Sequence, residues 1–376
     1  MDKYINIVAL NVPYPANYGG IIDIYYKIKA LHAAGVKIIL HCFEYERPPA
    51  RELDELCQAV YYYKRRTGWP ANLSVLPYNV YSRKHAGLLK NLSANDYPVL
   101  FEGLHSCYYM NNKHLPGRLK VYRESNIEHD YYRMLAQSCT EVVKKAFFLV
   151  EAWRFRRYQQ IIGQADLTLA VSMADTDYLR KAFPGKRIEF MPSFHPGYEV
   201  TAAPGQSDFI LYHGKLSVVE NEQAALYLVR HVFSKLSCTC VIAGMAPSAR
   251  LKSAIATYPH IRLEANPAEE RMAALVKEAQ VHLLVTFQET GLKLKLLNSL
   301  FAGRHIVVNK AMLTGSGLSP LCHIADTPGE MIAACARLLA EPFTPEETAR
   351  RTQFLIPAYS NKHQAGRLIQ MIYGEK

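Results

Sequence analysis

Residues 289–303, ETGLKLKLLNSLFAG, read as an amphipathic helix with its charges at the unexpected end. Leu292, Leu296 and Leu300 recur every fourth residue and no proline interrupts them, which is the apolar stripe of a helix lying on a core. The free amides of a helix start carry about half a positive charge and favour acids there. This helix, expected to begin near Gly291, opens instead with Lys293 and Lys295. Lysines added to a positive helix end suit an anion, and Thr290, Leu294 and Asn298 share one face beside them. Two solvated lysines on a half-exposed helix are the plainer alternative.

Outward from that segment, short apolar runs alternate with helical ones along the whole chain. VHLLVTF precedes it and HIVVN follows it; FILYHG, CTCVIAG, IRLEA and LCHIAD complete the strands expected in the second half. INIVAL, KIILHCF, VLFEG, LKVYRES, LTLAVS and RIEFMPS are those of the first. Helical stretches such as GGIIDIYYKIKALHAAG and NEQAALYLVRHVF lie between them. Strand and helix in alternation predict an α/β protein with parallel, doubly wound sheets covered on both faces. Phe194–Asp208, rich in Gly, Pro and small residues, is the expected linker region. Sheets of this kind bind ligands beyond the carboxyl ends of their strands, so the expected active site is a cleft between two halves.

The chain has 376 residues, 49% of them hydrophobic and 20% charged, enough for two cores. No apolar run approaches the length of a membrane span and Ile5–Leu10 is too short for a signal sequence, so a cytoplasmic location is expected. Eight cysteines without a CxxC pair point to reduced, structural thiols, with Cys238 and Cys240 alternating inward on a buried strand. The net charge of +11 suits nucleic acid, acidic lipid or phosphorylated substrates. Two basic-aromatic clusters, Tyr61–Trp69 and Lys144–Gln160, read as solvated faces or as attachment to an anionic membrane; no nucleic-acid recognition module is recognisable.

After the first strand, Gly19 and Gly20 precede a helix expected near Ile21, and paired glycines let backbone approach a phosphate or sugar oxygen. The GxGxxG and Walker A patterns are absent, which counts against an NAD oxidoreductase and an ATPase. After FILYHG come Gly214 and Lys215, then a helix expected near Asn221; this pair suits phosphate or a tight turn with a solvated lysine.

The two tandem halves, the Gly-Gly loop and TGLKLKLLNSLFAGRHIVV together resemble the retaining, nucleotide-sugar-dependent glycosyltransferases of family 4, of bacterial polysaccharide-biosynthesis type. The resemblance implies the GT-B fold: two doubly wound Rossmann-like domains facing across a cleft. It sets an acceptor-binding domain over 1–196, a linker over 197–208, a donor-binding domain over 209–357 and a final helix, 358–376, crossing back. Family members carry an acid, seven intervening residues and a second acid before a glycine. With Gly303 as that glycine, the acids fall at Thr290 and Asn298, and both are absent. The second acid would hold the ribose; Asn298 can accept one ribose hydroxyl without the charge-assisted part of that bond. Thr290 can bond a sugar hydroxyl, with Glu289 one position away to take the missing role. Basic residues of the family motif map onto Lys293 and Lys295. The donor set implied is thus Gly20, Gly214, Lys215, Thr290, Gly291, Lys293, Leu294, Lys295 and Asn298.

On the acceptor side, Glu102 and His105 stand just beyond a strand end in FEGLHSCYY, where the family has a histidine near the transferred sugar. Arg123, Asn126, Glu128 and His129 follow the next strand, with Asn126 placed to cap a helix. The implied roles are catalytic for His105, Glu102 and Glu289, and acceptor-binding for Gly19, Arg123, Asn126 and Glu128. Asp175 and Asp177 imitate the Asp-x-Asp metal signature of a different glycosyltransferase fold, but here they follow Ser172 at the opening of a helix and read as first-turn acids. No metal site and no cofactor beyond the nucleotide diphosphate sugar as co-substrate is expected. The expected reaction is hexose transfer, with retention, to a carbohydrate or lipid-linked acceptor in cell-surface polysaccharide synthesis, in the cytoplasm or at the inner face of its membrane. The rivals are a non-catalytic sugar-nucleotide-binding or scaffold subunit, favoured by the missing acids, and a nucleotide-sugar epimerase of the same fold.

Overall fold

The structure, a computed structural model, describes all residues except 1, 18, 112, 114, 288–293, 375 and 376, and the side chain of residue 69. The described residues fall into two compact units. One comprises Met1–His195 with Asn361–Lys376, and the other the residues between Pro196 and Ser360.

The first unit is built on seven strands: β1 (Tyr4–Ala9), β2 (Lys37–Glu44), β3 (Ala59–Lys64), β4 (Val99–Glu102), β5 (Lys120–Arg123), β6 (Leu167–Ala170) and β7 (Ile188–Phe190). They form one sheet in the order β3-β2-β1-β4-β5-β6-β7, every pair parallel. Successive residues serve opposite faces. Val8, Phe101, Tyr122 and Ala170 pack in one core, and Ile7, Leu100, Val121 and Leu169 in the other. Both faces must therefore be covered, which is why these strands are so uniformly apolar. Among helices of eight or more residues, α1 (Gly19–Ala33), α2 (Glu128–Ser138), α3 (Val142–Tyr158) and α4 (Met173–Ala182) do this. α1 buries Ile21, Ile24, Ile28 and Leu31, one stripe at helical spacing.

The second unit has a six-stranded parallel sheet in the order β10-β9-β8-β11-β12-β13, from β8 (Phe209–His213), β9 (Thr239–Gly244), β10 (Ile261–Ala265), β11 (Val281–Leu284), β12 (His305–Val308) and β13 (His323–Ile324). Its helices are α5 (Val219–His231), α6 (Ala249–Ala256), α7 (Glu269–Glu278), α8 (Leu294–Ala302), α9 (Pro328–Ala340) and α10 (Pro345–Tyr359). The last helix, α11 (Asn361–Tyr373), belongs to the first unit: Ala365 and Leu368 join the core of Ile24 and Ile28, and Tyr373 donates to the Tyr4 carbonyl at 2.7 Å.

All twelve expected strands form, and β3 is the one the sequence reading passed over. Its AVYYYK has the Tyr-rich look of a surface cluster, yet Tyr63 is buried and β3 pairs with β2 from Ala59 to Lys64. Segment 197–208 is not a free tether. Thr201 and Ala202 donate to the Phe301 carbonyl, Gly205 pairs with Phe343, and Ser207 donates to Gln280, because its small residues let the backbone lie against the second unit. Cys240 is buried in β9, but Cys238 precedes that strand and is half-buried; all eight cysteines are free.

In each sheet the strand order reverses at one place, between β1 and β4 and between β8 and β11. Ligands of doubly wound sheets sit beyond the carboxyl ends at such points. The Gly19-Gly20 start of α1 follows β1, His105 follows β4, Gly214 follows β8, and the segment leading into α8 follows β11.

Candidate functional site

In the second unit, β8 ends in a backbone crossing that only glycine permits. A Cβ on Gly244 would stand 1.8 Å from the Gly214 carbonyl oxygen, and Gly214 donates to the Ala243 carbonyl at 3.1 Å. Lys215 is exposed in the turn that follows. The helix expected near Asn221 begins at Val219, with Glu220 and Glu222 in its first turn. Asn221 then acts as a bridge: its amide donates to the Lys215 carbonyl at 3.1 Å, and its side-chain oxygen accepts from Lys295 Nζ at 2.7 Å. Lys295 Nζ also reaches the Tyr212 hydroxyl at 3.3 Å and lies 5.0 Å from that ring's centroid.

These bonds bring Gly214, Lys215 and Lys295 together. Leu294 and Asn298 lie half-buried on α8, whose other side buries Leu296, Leu297, Leu300 and Phe301. Glu289, Thr290, Gly291 and Lys293 lie outside the described residues. Further contacts hold α8. His213 Nε2 meets Ser299 Oγ at 2.9 Å, and burial, helped by the Lys295 charge, keeps that imidazole neutral with a pKa of about 3. Arg351 of α10 donates to the carbonyls of Leu300, Gly303 and Arg304 at the helix's negative end. Gly303 lets His282 close in, since a Cβ there would be 2.1 Å from His282 Nε2. Tyr212, Asn221 and His213 were missed as site residues; a histidine and a tyrosine in a strand read as core until the strand's end is located.

In the first unit, Gly19 and Gly20 are the first residues of α1 rather than a loop before Ile21. A Cβ at Gly20 would meet no atom within 4 Å, and the first turn carries no acid. Beyond β4, Gly103 adopts φ +72°, a left-handed turn that sends the chain into a short 3-10 helix, Leu104–Tyr109. His105 Nε2 comes within 3.6 Å of Glu128 Oε2, and its ring meets Phe155 edge-on at 5.4 Å between centroids. The His105 Nδ1 atom is buried with no hydrogen-bond partner among the described residues.

Burial raises the Glu128 carboxyl to about 8, with Arg83 opposing, and burial with the charges of Arg83 and Arg65 pulls His105 well below its ordinary value. Both are neutral near pH 7, so Glu128 holds a proton to donate and the imidazole offers one donor and one acceptor. Glu124, missed in the sequence, joins them. It accepts from the Tyr122 hydroxyl at 2.9 Å and from the Asn126 amide at 2.7 Å, and burial plus the nearby Asp175 and Glu128 push its carboxyl well up.

Two expected site residues turn away from this group. Glu102 is buried against Lys27 Nζ at 2.7 and 3.0 Å, and Lys27 also holds Asp23 Oδ2 at 3.0 Å. Arg123, fully buried, donates to both Asp23 oxygens, at 3.0 and 3.2 Å, and to the carbonyls of Met191 and Pro192. Both are internal braces tying β4 and β5 to α1 and to the segment after β7, because strand alternation points them to the core face opposite the cluster's. Asn126 does not cap α2: the cap is Ile127, without a side-chain bond. Asp175 is the third residue of α4, bonded to Ser172 Oγ through its amide and, at 2.7 Å, its carboxylate, while Asp177 is exposed. The pair is split between core and solvent, and among the described residues no group of three His, Cys, Asp or Glu could hold a metal ion.

Solved structures with this arrangement of strands and helices include an S. aureus TarM variant in complex with UDP, at a TM-score of 0.68 and 10% identity over 99% of this chain and 100% of that one. Anabaena HepE in complex with UDP and glucose matches at 0.67 and 11% over the whole of both chains. The chain has the GT-B fold. A third GT-B structure, trehalose-6-phosphate synthase OtsA, matches over the whole of both chains at a TM-score of 0.62 and 12% identity. No family model matches the chain. A Klebsiella pneumoniae protein described as an uncharacterized 44.6 kDa protein in the cps region is 26% identical over 335 residues, which cover 84% of this chain and 85% of that one.

Proposed function

We propose that this chain is a retaining glycosyltransferase of the family 4 type, moving a hexose from a nucleotide diphosphate sugar to a carbohydrate or lipid-linked acceptor in cell-surface polysaccharide synthesis. The observation that carries the reading is Lys295, held by Asn221 and Tyr212 in the first turn of α8, beside Gly214 at the reversal point of the second sheet. A cation in the first turn of a helix suits a diphosphate, whose negative charge grows as the sugar bond breaks. Lys295 and the start of α8 would stabilise that charge, Asn298 would take a ribose hydroxyl, and the neutral His105–Glu128 pair would orient sugar hydroxyls. The cps-region relative supports the polysaccharide context, and the UDP complexes of HepE and TarM support the donor class. In this reading the nucleotide sugar is the sole co-substrate, no metal takes part, and the work is done in the cytoplasm.

The test is a thermal-shift screen of nucleoside diphosphates and their sugars, followed by mass spectrometry of the best donor with lipid-linked and soluble glycans. A diphosphate-dependent shift and a glycosylated product are expected. Binding without turnover would favour a scaffold, interconversion of free sugar nucleotides an epimerase, and no shift with any nucleotide would end the reading.

A further inference from the structure

The helix α3 buries one side and leaves apolar residues on the other. Glu151, Ala152 and Phe155 are buried, with Phe148 and Tyr158 half-buried beside them, and the side facing α2 is thereby accounted for. The opposite side ought to be polar. Instead Val142 is 82% exposed, Val143 85%, Trp153 53%, Leu149 51% and Val150 46%. At 100° per residue, positions 142, 149, 150 and 153 fall on one stripe opposite Phe155. Leu73 and Val75 are also exposed, in the segment that follows Asn72, whose carbonyl accepts from Arg154 of α3 at 2.8 Å.

Bases border the stripe. Lys145, Arg156 and Arg157 are exposed along it, and the Arg157 guanidinium lies 4.9 Å from the Trp153 ring centroid. The one acid within α3, Glu151, is turned inward, where it accepts from the Tyr78 amide and from Arg154. The second basic-aromatic cluster therefore forms a surface. The first exposes Tyr61, Lys64 and Arg66 but no apolar stripe between them, since Tyr63 is buried and Arg65 is held by Ser82 and Asn79.

We propose that the outward face of α3, with Leu73 and Val75, docks on an anionic lipid bilayer. Apolar side chains flanked by Lys and Arg, with an aromatic ring among them, are what an interfacial helix needs: the chains enter the acyl boundary and the bases meet phosphate headgroups. A second copy of this chain is the poorer occupant, because α3 against α3 would set bases against bases with no outward acid within the helix to pair them. The inference goes beyond glycosyl transfer and holds whichever sugar is moved.

The experiment is flotation of the full chain with phosphatidylcholine vesicles, with and without phosphatidylglycerol, across a salt series. Wild type should float with the anionic vesicles and release as salt rises. Arg156→Gln with Arg157→Gln should lower partitioning roughly 25-fold, about fivefold per base. Val150→Glu with Trp153→Glu should abolish it while leaving the melting temperature unchanged, since both side chains are exposed. Absence of binding to either vesicle, equal binding to both, or variants that bind like wild type would overturn the proposal. So would a concentration-dependent dimer lost in Val150→Glu, which would assign the face to a second copy. No substrate is present, so failure here leaves the transferase reading intact.

Discussion

Replacing Lys27 by methionine separates the internal role of the ion network around Glu102 from a catalytic one. Lys27 is fully buried, with its ammonium 3.0 Å from Asp23 and 2.7 Å from Glu102. Asp23 would keep Arg123 and the Phe194 amide, but Glu102 would lose its ion pair in a dry interior. Breaking one side of a buried pair costs about 3–5 kcal/mol; methionine fills most of the lysine volume, so little cavity cost is added. For a unit of this size that is a fall in melting temperature of about 6–20 °C. Both tryptophans, Trp69 and Trp153, lie in the first unit, so tryptophan fluorescence reads its unfolding.

The loss should also depend on pH. Burial, opposed by Lys27, already holds the Glu102 carboxyl above its ordinary value, and without Lys27 it rises further. A carboxyl raised in the folded state supports folding while it stays protonated, and that support is lost as pH climbs through the folded pKa. The deficit of Lys27→Met should therefore be small near about pH 5 and widen towards about pH 8. A deficit under about 1 kcal/mol at neutral pH, or one flat with pH, would refute the reasoning. Glu102→Gln should keep turnover well below its melting temperature; lost turnover with unchanged stability would restore Glu102 to catalysis.

Lys295→Ala should weaken nucleoside diphosphate binding roughly ten- to a hundredfold, the worth of one charge-assisted bond of about 1.5–3 kcal/mol, and leave the uncharged nucleoside alone; calorimetry with both ligands checks it. Gly303→Ala forces a methyl group against His282 and should destabilise the second unit by about 1–3 kcal/mol, read by calorimetric melting while Trp fluorescence of the first unit stays put. Asp175→Asn should cost about 1 kcal/mol through its bond to Ser172, and exposed Asp177→Asn almost nothing, both with turnover that survives chelator; manganese-dependent rescue would count against this.

The strands other than β3 and the loops worth watching were legible because they rest on local signals. Gly214-Lys215 and the lysines of 289–303 stood out as charges and glycines at the ends of apolar runs, and Lys295 is linked to the β8 loop through Asn221. Tyr212 and Asn221 were not legible as its partners, since they lie 83 and 74 residues from it in sequence. Glu124 escaped notice because a carboxylate next to Arg123 reads as a surface ion pair until both are known to be buried facing different partners.

Periodicity, glycine placement and charge sign are properties of neighbours along the chain, so the sequence by itself determined the α/β class, the two sheets and the position of α8. The direction in which a polar side chain points is a property of packing. Glu102 and His105 are three residues apart at the same strand end, yet one became a brace for Lys27 and the other the partner of Glu128. Likewise, the bases and aromatics of α3 were visible in its letters, but which of them face water depended on which side α2 and the sheet had already covered. Burial is a sum over distant segments, and only the tertiary structure performs that sum.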